Sequence, residues 1–499
     1  MRTEMTELSE LKELAHGVLF PALGRKTVPR WAKEHIAAGL GGFVVFGKDI
    51  ATGERLLELT GALHGLREHV LLSIDEEGGD VNRLEEHGGT AVPGNYALGR
   101  LDDPGRTREA AYQIGLSLVE AGIDWDLAPA VDTAVNPLSP NGIRCFGADR
   151  ALVSKHAAAW VEGLQTAGVS ACAKHFPGHG LSGTDAHLGT PSVPLSREEL
   201  LDYYLDPFRS VIEAGVDSIM VSHVHLTQID DVPATISAKV LTGILREELG
   251  YDGVVITDAL EMRGISDVAR LPDAAVRAIA AGADALCLGA WAYNDDVDAA
   301  ASALVRAVQD GTLPEERLRQ ANKRIARLGT RAKPAILARD DAVGAKLADD
   351  VVAVHGDPVL KSRRALVIRL DPTHSPAGGT AGWGVEEPLR EAGLELEILA
   401  ITGDTYNGPG MVRAEIGQYR DEFGPEANVV VLTRSSHRFP WQQPVLDRLL
   451  EQCPEAVIVD MGVPGDNFSG FRGWVQTFGA SRVCSQAATR RLLGSRWTA

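Results

Sequence analysis

A chain of 499 residues exceeds one ordinary hydrophobic core and predicts two domains. With 44% apolar and 23% charged residues it has the balance of a globular protein, and no apolar run approaches the ~18 residues of a membrane span. The net charge of −19, from 49 basic against 68 acidic residues with no basic patch, speaks against a nucleic-acid partner and suits a solvated surface.

The N-terminal MRTEMTELSELKELAHG mixes acids and bases and has no apolar stretch of the secretory kind, so the expected location is the cytoplasm. The five cysteines, Cys145, Cys172, Cys287, Cys453 and Cys484, are odd in number, widely spaced and form no CxxC pair. Cys172 and Cys287 stand in apolar runs and read as small core residues, which fits a reducing compartment without disulfides or a zinc site.

Eight short apolar runs follow in order: 17–20 (GVLF), 41–47 (GGFVVFG), 71–75 (LLSID), 124–132 (DWDLAPAVD), 171–177 (ACAKHFP), 218–224 (SIMVSHV), 253–260 (GVVITDAL) and 285–290 (ALCLGA). Segments such as 151–168 and 200–215 lie between them, with apolar residues three and four apart, as packed helices require. Strands alternating with helices imply a parallel sheet, and this number of units predicts a closed (β/α)8 barrel over residues 1–335. A basic terminal helix is expected at 311–329, then a linker over 336–360. Further runs at 365–370, 394–401, 428–434 and 456–462 predict a smaller open α/β sandwich domain over 361–499. The Gly/Pro-rich piece 375–387 reads as a loop, and 435–443 (SSHRFPWQQ) as a loop that leans over the cleft or packs between domains.

Polar residues gather where these runs end. Asp75 ends the third, Lys174 and His175 the fifth, His223 the sixth and Asp258 the seventh, which in a (β/α)8 barrel is the active-site face. A carboxylate closing the buried run GVVITD is either a helix cap or salt-bridge partner, or a held nucleophile. In KHFPGHGLSGTDAHLGTPSVP (174–194), Pro177 and the glycines impose an irregular loop that carries His175, His179, Asp185 and His187. Asp185 and His187 are two apart, so in an extended segment both side chains point the same way. A carboxylate beside an imidazole fixes its tautomer and favours its protonated form, giving a general acid near neutral pH. These four residues include metal-ligand types, but their spacing matches no standard zinc pattern. In IDEEGGDVNRL (74–84), Asp75 suits hydrogen bonds to sugar hydroxyls or simply caps a turn. Arg144, in NPLSPNGIRCFGAD (136–149), is flanked by Cys145, Phe146 and Gly147, which argues for a held position over a surface ion pair.

DEEGG, NP…RCFG, KHFPGHG followed by Asp-x-His, MVSHV and GVVITDALEM together resemble glycoside hydrolase family 3, specifically its β-N-acetylglucosaminidase branch. The resemblance is strong over residues ~10–330 and weaker through the second domain. It implies a retaining enzyme that removes terminal β-linked N-acetylglucosamine, with Asp258 as nucleophile and His187, supported by Asp185, as acid/base. Asp75, Arg83, Arg144, Lys174, His175 and His223 are then expected to bind the sugar. Ala259 stands where the branch often has a second Asp, and Ala186 where Ser is usual between Asp185 and His187. The same resemblance suggests cell-wall recycling or processing of imported chitin fragments. Phosphorolysis, participation of the substrate's acetamido group, a plain β-glucosidase and an inactive sugar sensor are the competing readings. No cofactor or metal, no nucleic acid and no membrane partner is expected, and the sequence assigns no oligomeric state.

Overall fold

The computed structural model describes residues 2–496 apart from 87, 336–337, 373–377, 379–381, 406, 425–426 and 466. Most of the expected loop 375–387 therefore lies outside the described residues. The chain forms two compact units, residues 1–77, 103–141 and 147–340 in one, and 78–102, 142–146 and 341–499 in the other.

Each of the eight runs expected in the first unit overlaps a strand: β1 (Leu19–Pro21), β2 (Gly42–Val45), β3 (Leu71–Ile74), β4 (Trp125–Asp126), β5 (Ser170–Phe176), β6 (Ser218–Val221), β7 (Val254–Thr257) and β8 (Leu286–Gly289). β2 to β7 form one parallel sheet in chain order, and β1 pairs in parallel with β8. Single parallel bridges, Ala22 to Val44 and Ile256 to Ala285, join that pair to both edges of the curled sheet. These strands are buried on both faces, which is why they read as continuous apolar runs rather than alternating ones. Phe20 meets Trp125 edge to face with ring centroids 5.5 Å apart, and the buried Trp125 indole N–H donates to Ser218 Oγ at 2.7 Å.

The helices between strands start on sequence signals. Asp103 and Asp149 cap Pro104–Glu120 and Arg150–Thr166, each side chain accepting from backbone N–H groups of the first turn. The single helix expected over 200–215 is broken: Leu200–Tyr204 ends before Asp206–Glu213, because Pro207 cannot donate and takes a first-turn position instead. The basic helix lies at Glu315–Ile325. Its Arg317 and Arg324, with Arg246, converge on the fully buried Asp284 just before β8, at the end of the sheet opposite Asp258.

The second unit is built on β9 (Ala353–Gly356), β10 (Arg364–Leu370), β11 (Glu395–Ile401), β12 (Asn428–Thr433), β13 (Val457–Asp460) and β14 (Gly473–Gln476), in the sheet order β9-β14-β13-β12-β10-β11. Every pairing is parallel except β9 with β14. Alternate residues feed two cores. Val367, Val430 and Val459 face one that includes Ala487 and Leu492, while Leu366, Val431 and Ile458 face another with Ile416 and Leu449. Residues 435–443 are not one open loop: Ser436–Arg438 forms a short helical turn, and Gln442 begins the helix Gln442–Gln452 with its side chain fully buried.

Candidate active site

Asp258 follows β7 directly. Its backbone N–H donates to Val221 O at 2.9 Å, which continues the β6–β7 ladder, and its Oδ1 accepts from the Ala259 N–H at 2.8 Å. Burial pushes this carboxyl up, but the imidazoles of His223, His175 and His187 and the Ala259 N–H outweigh it and hold the group below the usual range. It is therefore an anion at neutral pH, close enough to three histidines to share their field.

The neighbouring strand ends supply a buried acid that sequence reasoning missed. Asp132 is fully buried and accepts from His175 Nδ1 at 2.7 Å, His179 N at 2.6 Å, Asn141 Nδ2 at 2.7 Å and His175 N at 3.4 Å. Burial opposes its ionisation, yet His175 and His179 hold its carboxyl below the ordinary value. One carboxylate thus orients the His175 ring and fixes the turn that follows β5. In that turn Gly178 has φ +123°, and a Cβ on Gly180 would lie 2.0 Å from Thr133 O, so the chain passes where only glycine fits.

Lys174 is 2% exposed and its Nζ donates to Asp75 Oδ1 at 2.6 Å and Glu77 Oε1 at 2.7 Å. Glu77, buried and not singled out from sequence, belongs to the same ion cluster. Below it the Glu76 N–H donates to Asp126 Oδ1 at 2.9 Å, and burial pushes the Asp126 carboxyl far up. Asp75 keeps some exposure, and the ammonium sets the direction of its carboxylate.

Asp185 and His187 do pair, though not as residues of an extended segment. Asp185 Oδ1 accepts from the His187 N–H at 2.9 Å and from His187 Nδ1 at 2.7 Å, and Leu188 N donates to Asp185 O at 2.9 Å. The segment is a side-chain-closed turn, because a short Asp reaches the N–H two residues on more readily than it stays extended beside glycines. Burial opposes ionisation of Asp185, but the His187 ring and N–H take its carboxyl well below the usual range. The turn is tied to the segment after β7: Gly264 N donates to Ala186 O at 2.8 Å and Thr190 Oγ1 to Gly264 O at 2.9 Å.

His223 is fully buried, with Nε2 donating to Ala259 O at 2.9 Å and Nδ1 paired to the Thr235 hydroxyl at 2.6 Å. Both ring nitrogens are engaged by protein, and burial lowers its basicity. Asp75, Lys174, His175, Asp185, His187, His223 and Asp258 all lie in the first unit, whereas Arg83 and Arg144 cluster with the second. Arg83 is buried, and Arg144 is half-buried with its carbonyl accepting from Asn95 Nδ2 at 2.8 Å. Among the described residues no group of three or more His, Cys, Asp or Glu side chains is disposed to hold a metal ion. Among them, too, no helix is long and apolar enough to cross a membrane. An ionised, fixed carboxylate sharing a field with an imidazole that donates to its own carboxylate can combine covalent and acid–base catalysis.

Comparison with known proteins points the same way. A family model described as the glycosyl hydrolase family 3 N-terminal domain matches residues 12–328. Beta-hexosaminidase A of Pseudoalteromonas piscicida is 33% identical over 321 residues, a stretch that covers 58% of this chain and 53% of that protein. The chain thus spans about half the length of that relative. A beta-hexosaminidase of Alkalilimnicola ehrlichii is 35% identical over 256 residues, 50% of this chain and 73% of that protein. Among solved structures, a glycoside hydrolase family 3 beta-N-acetylglucosaminidase from Paenibacillus sp. str. FPU-7 superimposes with TM-score 0.87 at 30% identity, covering 97% of this chain and 96% of that one.

Proposed function

The chain belongs to glycosyl hydrolase family 3 and is a glycoside hydrolase, and from that premise we propose that it is a retaining exo-β-N-acetylglucosaminidase. The observation that carries this reading is the Asp258 carboxylate fixed at the end of β7, with the Asp185–His187 turn tied to the segment that follows it. In the first step Asp258 attacks the anomeric carbon and the glycosidic C–O bond breaks. His187 gives its proton to the leaving oxygen. In the second step His187 takes a proton from water, whose oxygen displaces Asp258 and releases N-acetylglucosamine in the β configuration.

Asp75, Lys174 and His175 bind the sugar in this reading, with Asp132 and Glu77 as the positioning acids behind them. Arg83 and Arg144 are the remaining sugar ligands that the family resemblance implies. His223 fits a positioning role better than direct contact, since its Nε2 holds the carbonyl of the residue after the nucleophile. The sheet, with its bridges at both edges, is read as a (β/α)8 barrel, and the second unit as a separate α/β domain. A cytoplasmic setting is the reading that the five free, buried and widely spaced cysteines support.

The test is turnover of 4-nitrophenyl N-acetyl-β-glucosaminide, with and without phosphate, beside Asp258→Asn. Removing a covalent nucleophile should cost about 1,000-fold or more in kcat. Proton NMR should show the β anomer forming first. Initial release of the α anomer would rule out retention. A glycosyl phosphate product would mean phosphorolysis, and faster turnover of the plain glucoside would mean a β-glucosidase. Sugar binding without turnover would mean a sensor.

A further inference from the structure

The segments that leave β2 and β8 carry a cluster that the chemistry above does not use. Trp291, two residues beyond β8, is 71% exposed, the highest exposure of any large apolar side chain among the described residues. An exposed indole is ordinarily loose, but this one is fixed. The N–H groups of Ala290 and Trp291 donate to Glu261 Oε1 at 2.6 Å and Oε2 at 2.9 Å. Lys48, three residues beyond β2, holds its ammonium 3.8 Å from the Trp291 ring centroid. The same ammonium donates to Ala290 O and, at 2.9 Å, to the Tyr293 hydroxyl, and it faces the Tyr293 and Phe46 rings at 5.2 and 5.9 Å.

Glu261 connects this cluster to the nucleophile. It stands three residues after Asp258, and between them the Leu260 N–H donates to Cys287 O at 3.0 Å. The loops after β7 and β8 are therefore pinned to one another, and Trp291 is held in register with Asp258 on the face where the strands end. A flat, rigid, solvent-facing indole there offers a stacking surface for a ring, whose ordering has been met in advance by the Glu261 and Lys48 contacts.

We propose that Trp291 is the platform for the leaving group, selecting β-N-acetylglucosaminides whose aglycone is a pyranose or aryl ring, with Lys48 and Glu261 as its positioning residues. This rests on the glycosidase reading above and adds the substrate's other half to it. The leaving group departs in the first step, so Trp291 acts on formation of the glycosyl-enzyme and not on its hydrolysis.

The experiment compares wild type, Trp291→Ala and Trp291→Phe on N,N′-diacetylchitobiose, 4-nitrophenyl N-acetyl-β-glucosaminide and methyl N-acetyl-β-glucosaminide, with thermal unfolding as the control for folding. Trp291→Ala should lower kcat/KM about tenfold or more on the two ring aglycones and less than about twofold on the methyl glycoside. Trp291→Phe should recover most of the loss, and kcat on a substrate limited by the second step should not move. Equal loss on all three substrates, or loss on none, would overturn the platform while leaving the glycosidase reading intact. A wild type that turns over none of them would instead overturn that reading, and the platform with it.

Discussion

Four hydrogen bonds converge on the carboxylate of Asp132, and three of them come from His175 and His179. Replacing it by Asn keeps the shape but puts a donor where two donors already point, so the His175 ring must turn. Misplacement by about 1 Å near a reacting centre costs up to ~100-fold, so Asp132→Asn should lower kcat/KM by about that factor while the protein stays folded. Steady-state kinetics beside circular dichroism checks it, and a change within twofold would remove Asp132 from the machinery. The sign of its pH effect follows from the depressed carboxyl: its stabilisation is present above the ordinary carboxylate range and lost as pH falls through the native value. Asp132 was within reach of sequence reasoning, since it closes the run 124–132 as Asp258 closes the run before it on its own strand. Which ring it holds was not, because His175 lies 43 residues away and nothing local marks the pair. The Asp185–His187 pair was legible from spacing, but the turn that makes it arises from a side-chain-to-backbone bond that a period-2 argument ignores.

The elements that the sequence shows most plainly are the strands buried on both faces, where β-branched and apolar residues run without interruption. The edge strand β9 escaped because three of its four residues are exposed, and β14 because GWVQ is short and only half buried. The basic composition of 311–329 was plain, but its purpose was not: two of its arginines, Arg317 and Arg324, join Arg246 around Asp284, and the Val255 N–H donates to the same carboxylate at 3.0 Å. Asp284→Ala would strand Arg246 and Arg317 without a counter-charge, while Arg324 would keep Asp252 at 3.0 Å. Breaking a buried ion pair from one side typically costs about 3–5 kcal/mol, and that loss should appear in urea unfolding. Because Asp284 precedes β8 and Asp258 follows β7, activity per folded molecule should be unchanged at 25 °C. A loss under about 1 kcal/mol would show the cluster to be solvated rather than structural.

At the scale of the whole chain, the two units are not consecutive in sequence. Residues 78–102 and 142–146 leave the first unit and cluster with 341–499, so no single cut separates the two. The helix Asn95–Leu101 shows what this means physically. It has 7 residues, no side-chain cap at Gly94 and a left-handed Asp102 at its end, and isolated helices shorter than ~12–15 residues are marginal in water. Its order comes from packing: Ala97 meets Val351 and Phe478 in one buried cluster, while Ile143 joins the core that holds Leu360 and Val367. A chain ending at Asp340 would keep the strands and the nucleophile but leave these residues without partners. Such a fragment should bind a hydrophobic dye, elute as oligomers and lose amide protection over 91–101, whereas the intact chain should protect that helix in step with the strands of the second unit. Hydrogen exchange on both forms decides it. A monomeric fragment that protects 91–101 as the full chain does would mean that the segment folds with the first unit, and that the second is a removable appendage.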